Sequence, residues 1–168
     1  HHIIVDHINV GGGLGINYNN PDEELIPDFV MFFKIFKDLL KLRPQQHLHF
    51  ELGRAIVAQC GNLISKVLYI KKGVNTNFAI IDAGMTELIR PALYQAVHKI
   101  ENLSSDNSIL ETYDVVGPIC ESSDCFAKAI KLPATKRGDI IAIRSTGAYG
   151  EVLSSNYNLR EKVQDFYD

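Results

Sequence analysis

After Arg54 the sequence breaks into short β-rich runs: Lys66–Lys71, Asn77–Asp82, Tyr113–Val116, Ala127–Leu132 and Ile140–Arg144. Gly, Pro, Asn and Asp separate them, and Lys136-Arg-Gly-Asp139 has the composition of a turn between two strands. Strand formers punctuated by turn formers at this spacing specify an all-β unit. The expectation is a C-terminal β-sandwich or β-barrel domain. Arg90 to Ile100 is expected to be a short helix or turn region, and Glu101 to Ser108 a polar, mobile loop.

The first part has a different period. His2 to Val10 is a short β-branched run that ends in glycines, and Asn17 to Asp22 is a polar loop closed by Pro21-Asp22. Pro27 suits the first turn of a helix. Phe29, Phe32, Phe33, Phe36, Leu39 and Leu40 then recur at three- and four-residue spacing, which predicts an amphipathic helix to about Leu42, stopped by Pro44. His47-Leu-His-Phe-Glu51 alternates and predicts a strand with Glu51 at its C-terminal end. Strand, helix, strand is one βαβ unit. The expected domains are therefore residues 1–57, α/β, and residues 58–168, all-β.

Composition removes several function classes. The 168 residues carry a net charge of −3 with no basic block, unlike a nucleic-acid surface. No apolar run approaches the roughly 18 residues of a membrane span. Cys60, Cys120 and Cys125 are an odd number without framework spacing, which predicts a reducing, cytoplasmic compartment. His7, His47, His49 and His98 form no metal-ligand spacing with acids, so no metal is assigned.

Five segments carry chemistry. Val10-Gly-Gly-Gly-Leu-Gly-Ile16 follows a strand and suits either a flexible connection or a phosphate cradle of backbone amides; it fits neither the P-loop nor the Rossmann spacing. Glu51-Leu-Gly-Arg54 suits either a surface ion pair or a carboxylate and a guanidinium at a strand end. Arg90 and Tyr94 lie four residues apart, on one face if helical, as a solvated Arg and packed Tyr or as an anion site. Gly117-Pro-Ile-Cys-Glu-Ser-Ser-Asp124 puts a thiol beside a carboxylate, either a small buried cysteine or a proton donor next to a cation-holding group. Tyr149 in Ser145-Thr-Gly-Ala-Tyr-Gly150 is flanked by glycines that a core tyrosine seldom needs.

In this order, together with Asp82-Ala-Gly-Met85 before Arg90, the segments resemble the diaminopimelate decarboxylases, pyridoxal-phosphate enzymes of the alanine-racemase-like fold type III. The resemblance runs from about residue 3 to about residue 160. It implies that residues 1–57 are the last βαβ part of a TIM-type (β/α)8 barrel. By resemblance, Gly12, Gly13, Glu51, Gly53, Arg54 and Tyr149 bind pyridoxal 5'-phosphate, with Glu51 on the ring nitrogen. Arg54, Arg90, Tyr94, Glu121 and Tyr149 are the implied substrate contacts, and Cys120 the implied catalytic proton donor. Ser123 and Asp124 are given a supporting role, and Cys60 and Cys125 a structural one. Leu52 departs from the family's usual Glu-Pro-Gly-Arg.

The resemblance further implies a homodimer with shared active sites acting on meso-diaminopimelate to give L-lysine. It also implies that this chain is a fragment without most of the barrel and without the lysine that holds the cofactor as a Schiff base. Two alternatives stay open: a related fold-III decarboxylase of ornithine, arginine or carboxynorspermidine, and a non-catalytic β module of a split enzyme. Glu121, where ornithine decarboxylases usually carry Asp, favours diaminopimelate.

Overall fold

The computed structural model describes residues 5–74 and 76–167. Ile3 and Ile4 of the expected first strand lie outside them. Strand β1 (His7–Asn9) pairs in parallel with β2 (His47–His49), and helix α1 (Phe29–Leu39) connects them. This is the expected βαβ unit. Asp28 caps α1 by accepting from the Met31 amide at 2.8 Å, so Pro27 precedes the cap instead of occupying the first turn. The helix ends at Leu39, three residues short of expectation. The Arg43 amide goes to the Gln46 side chain at 3.0 Å, and the chain turns back early to set His47 beside His7. Phe32, Phe33 and Phe36 pack edge-on against Phe50 just after β2, with centroids 4.8 to 5.8 Å apart.

The remaining strands are β3 (Leu63–Lys72), β4 (Asn77–Ile81), β5 (Ile100–Asn102), β6 (Leu110–Val116), β7 (Cys125–Pro133) and β8 (Ile140–Ile143). They form one mixed sheet in the order β5-β8-β3-β4-β6-β7, antiparallel except for β4 beside β6. The two ends of that order, β5 and β7, touch, so the sheet is almost closed. A single curled sheet replaces the stacked pair of a sandwich. Val67, Ile81, Leu88, Tyr113, Val115, Phe126, Ile141 and Ile143 fill its core. Such burial of apolar side chains is the main favourable term in the fold.

Strand β5 corrects the expected loop from Glu101. It is only three residues long, but Ile100 is buried and pairs with Ile143. The buried Asn102 amide donates to Thr135 Oγ1 at 3.0 Å and to Asp139 Oδ2 at 2.9 Å. That anchors the Lys136–Asp139 turn, where Gly138 has φ +92°. Two short helices flank the sheet, α2 (Arg54–Val57) and α3 (Arg90–Tyr94). No helix among the described residues is long and apolar enough to cross a membrane.

Candidate active site

The parallel ribbon continues beyond its strands and fixes the glycine run beside Glu51. The Val10 amide donates to His49 O at 3.1 Å and the Glu51 amide to Gly11 O at 2.8 Å. A Cβ on Gly12 would stand 2.7 Å from Glu51 O, and Gly13 has φ +106°, so both positions demand glycine. Asn9 ties the two segments together. Its Oδ1 accepts from the Gly11 amide at 2.8 Å, and its Nδ2 donates to Glu51 Oε1 at 2.6 Å. Sequence reasoning missed Asn9; the Asn-x-Gly spacing at a strand end is the signal that could have found it.

Arg54 opens α2 directly after Gly53, and Tyr149 arrives from the other end of the chain. The Tyr149 hydroxyl lies 4.0 Å from where a Gly53 Cβ would sit, and the Arg54 guanidinium stands 5.8 Å from the Tyr149 ring centre. The turn that carries Tyr149 is pressed against α2 and the residues after it. Thr146 N donates to Gly61 O at 2.8 Å and Gly147 N to Ala58 O at 2.9 Å. A side chain on Gly147 would collide with Val57 O. Tyr149 itself adopts φ +64°, a left-handed conformation that costs a non-glycine residue on the order of 1 kcal/mol and recurs at functional sites. Gly12, Gly13, Glu51, Gly53, Arg54 and Tyr149 are thus one group, and Glu51, Arg54 and Tyr149 are exposed.

Cys120 and Glu121 form a second group. Both are exposed in the connection from β6 to β7. The buried Asp124 carboxylate holds this connection, accepting from the Ile119 amide at 2.7 Å and the Met85 amide at 2.6 Å. Burial pushes the Asp124 carboxyl above its ordinary pKa, against the pull of those two amides. The support role expected of Asp124 is realised, and it links the Cys120 loop to the Asp82–Met85 turn. Among the described residues no hydrogen bond, ion pair or ring contact joins Cys120 or Glu121 to the Glu51–Arg54–Tyr149 group.

Arg90 and Tyr94 share α3 but not an environment. Arg90 is buried at 5% exposure, whereas Tyr94 is exposed. No carboxylate among the described residues pairs with Arg90. Its partners are His98, 2.9 Å from a terminal nitrogen, and the ring of Tyr18, 4.7 Å from the guanidinium carbon. Neither was singled out from the sequence. Cys60 is exposed and Cys125 half-buried, where burial raises the thiol pKa.

The donor set suits an anionic, ring-bearing cofactor. Glycines that tolerate no side chain follow the C-terminal end of β1, and a carboxylate beside them is held by a neutral amide instead of a cation. A phosphate and a protonated ring nitrogen fit these two features.

Residues 4–147 match the family model described as pyridoxal-dependent decarboxylase, C-terminal sheet domain. A diaminopimelate decarboxylase of Bacteroides thetaiotaomicron is 65% identical over 95% of this chain and 41% of its own length. A crystal structure of diaminopimelate decarboxylase from Helicobacter pylori complexed with L-lysine superposes with a TM-score of 0.78 at 43% identity, over 94% of this chain and 38% of that one. A lysine/ornithine decarboxylase from Vibrio vulnificus shares the fold at 23% identity and a TM-score of 0.80, over 95% of this chain and 43% of that one. The chain therefore spans about two fifths of the length of the relatives it matches. With the family model covering most of its residues, the chain belongs to the pyridoxal-dependent decarboxylases.

Proposed function

We propose that the chain acts as the C-terminal part of a pyridoxal-phosphate-dependent diaminopimelate decarboxylase, which removes carbon dioxide from meso-2,6-diaminopimelate to give L-lysine. Residues 1–57 are then the closing βαβ part of a TIM-type barrel, and residues 58–168 the C-terminal sheet domain. The observation that carries this reading is the convergence of Gly12, Gly13, Glu51, Gly53, Arg54 and Tyr149 from three separate segments. When bound, pyridoxal phosphate supplies an electron sink for the pair left by the departing carboxyl group. The amides of Gly12 and Gly13 hold its phosphate, and Glu51 pairs with its ring nitrogen. Arg54, with its planar fork, binds a substrate carboxylate, and Tyr149 closes over the same place.

Cys120 Sγ–H delivers a proton to the α-carbon that has lost its carboxyl group, and Glu121 holds the distal ammonium. Both side chains are exposed, and among the described residues neither touches the Glu51–Arg54–Tyr149 group of its own chain. That supports a homodimer in which they reach into the partner's site. The lysine that carries the cofactor and the rest of the barrel belong to the remaining three fifths of the full-length protein, and the enzyme works in the cytoplasm. The test is carbon dioxide release by the full-length protein from meso-diaminopimelate, L-lysine and L-ornithine. Arg90 and Tyr94 are read as contacts to the distal end of the substrate, so discrimination of roughly 10³-fold is expected, because a substrate without the distal carboxylate leaves the buried Arg90 unpaired. Equal turnover of lysine or ornithine overturns the substrate assignment.

A further inference from the structure

Arg90 is a buried cation without an anion among the described residues. Of its five N–H donors, one has a partner there, and that partner is the Nε2 atom of His98. The other ring nitrogen settles the tautomer. His98 Nδ1 lies 2.9 Å from the carbonyl oxygen of Arg144, which can only accept, so Nδ1 carries the hydrogen and Nε2 must offer its lone pair to Arg90. The imidazole is itself buried, and burial, aided by the nearby Arg90 charge, lowers its pKa to about 4. The Arg90 guanidinium carbon stands over the Tyr18 ring, 4.7 Å from its centre, and Tyr18 meets the His98 ring edge-on at 4.9 Å.

Tyr18 is held there from three directions. Its carbonyl accepts from the Lys99 amide at 3.0 Å. Asp22, four residues later, pairs with Lys99 and with Arg144, each at 2.9 Å. Gln59 Nε2 donates to the carbonyls of Pro21 and Glu24. Tyr18 also follows the glycine run by only three residues. A guanidinium fixed at one nitrogen and held over an aromatic ring keeps its remaining donors in a single orientation, free for a carboxylate.

We propose that His98 and Tyr18 are positioning residues for Arg90, orienting its unpaired N–H donors toward the distal carboxylate of the substrate. The inference rests on the reading of Arg90 as a substrate contact. The experiment uses the full-length holoenzyme and compares two ligands: meso-diaminopimelate, which has the distal carboxylate, and cadaverine as a competitive inhibitor, which keeps both amines and has no carboxylate.

His98→Phe and Tyr18→Leu should each raise KM for meso-diaminopimelate roughly tenfold while moving the inhibition constant of cadaverine less than about twofold. His98→Gln restores an acceptor and Tyr18→Phe restores the ring, so each should recover most of the loss seen in its partner variant. A rise in both constants together overturns the proposal in favour of a general structural role, as does an unchanged KM. Where His98→Phe does not fold, Tyr18→Leu against Tyr18→Phe decides on the same criterion. Arg90→Lys separates the two claims. If it leaves KM unchanged, the reading of Arg90 itself fails. If it raises KM while the His98 and Tyr18 variants do not, only the positioning fails.

Discussion

Three side chains in this protein draw their properties from burial or exposure rather than from their type. His98 is the plainest. Its imidazole is held neutral, with a pKa lowered to about 4 chiefly by burial, against an ordinary value of 6.5. An unfolded chain takes up that proton as pH falls below 6.5, whereas the folded one does not until about 4. The stability contributed by neutral His98 is complete above 6.5 and is lost between those values, by about 3 kcal/mol in all. Urea unfolding of the full-length protein at pH 7 and pH 4.5 should reveal this fall, and His98→Phe should flatten it.

Asp124 is the second, because among the described residues its carboxylate alone accepts from the Ile119 and Met85 amides. Asp124→Ala should lower stability by about 3 kcal/mol, measured by the urea midpoint, since charge-assisted bonds are lost and amides are left unpaired. Gly117→Ala should act in the same direction, because a Cβ there would run into the same carboxylate. Cys120, by contrast, is exposed and unbonded among the described residues. Cys120→Ala should leave the unfolding midpoint within about 0.5 kcal/mol, as for a surface change, yet lower turnover of the full-length enzyme by ~10²–10⁴-fold.

At the level of elements, the polar segment Asn17 to Ile26 is organised by what it docks onto. Asp22, Lys99, Glu101 and Arg144 alternate in a closed ring of ion pairs, with separations of 2.7 to 2.9 Å. Lys99 and then Arg144 hold the Asp22 carboxyl below its ordinary pKa; burial alone would raise Glu101, but the same two cations outweigh it. The ring therefore keeps its charges down to the lower end of the carboxylate range and opens only below it. Asp22 is exposed, so the ring is sensitive to salt. Asp22→Asn should accelerate limited proteolysis between Asn17 and Ile26, and the difference from the parent should shrink in 1 M salt, where roughly 3 Å screening applies. An unchanged cleavage rate at low salt would mean that the Tyr18 and Gln59 bonds alone hold the segment.

Across the whole molecule, packing is unequal. The β sheet closes around a filled core, while α1 buries no residue fully. Val30 and Leu39 are about 80% and 79% exposed, and Ile26 and Leu25 follow. The β1–β2 ribbon also has both edges open among the described residues. A patch of this kind marks a surface built to be covered. Residues 1–168 produced alone should bind a hydrophobic dye and form large aggregates in light scattering, whereas the full-length protein should bind no dye and scatter as a discrete dimer.

Much of this was legible in the sequence for a definable reason. Local periodicity fixes elements, so the Phe29–Leu39 helix, the β runs and the glycine-to-Glu51 unit follow from spacing alone. Motif order was enough to identify the family. What spacing cannot encode is which distant segment answers each polar group. Strand β5 exists because Ile143 is available to pair with Ile100, and beyond α1, where Leu40 turns extended, the Arg43 amide goes to the Gln46 side chain. Asn9 has a local signal only in its bond to the Gly11 amide, and Tyr18 and His98 have none; their partners Glu51, Arg90 and Arg90 lie 42, 72 and 8 residues away. The types of residue that do chemistry were set by the sequence, while burial and long-range pairing, which arise only when the chain closes, decided which of them are exposed, which are neutral and which are held still.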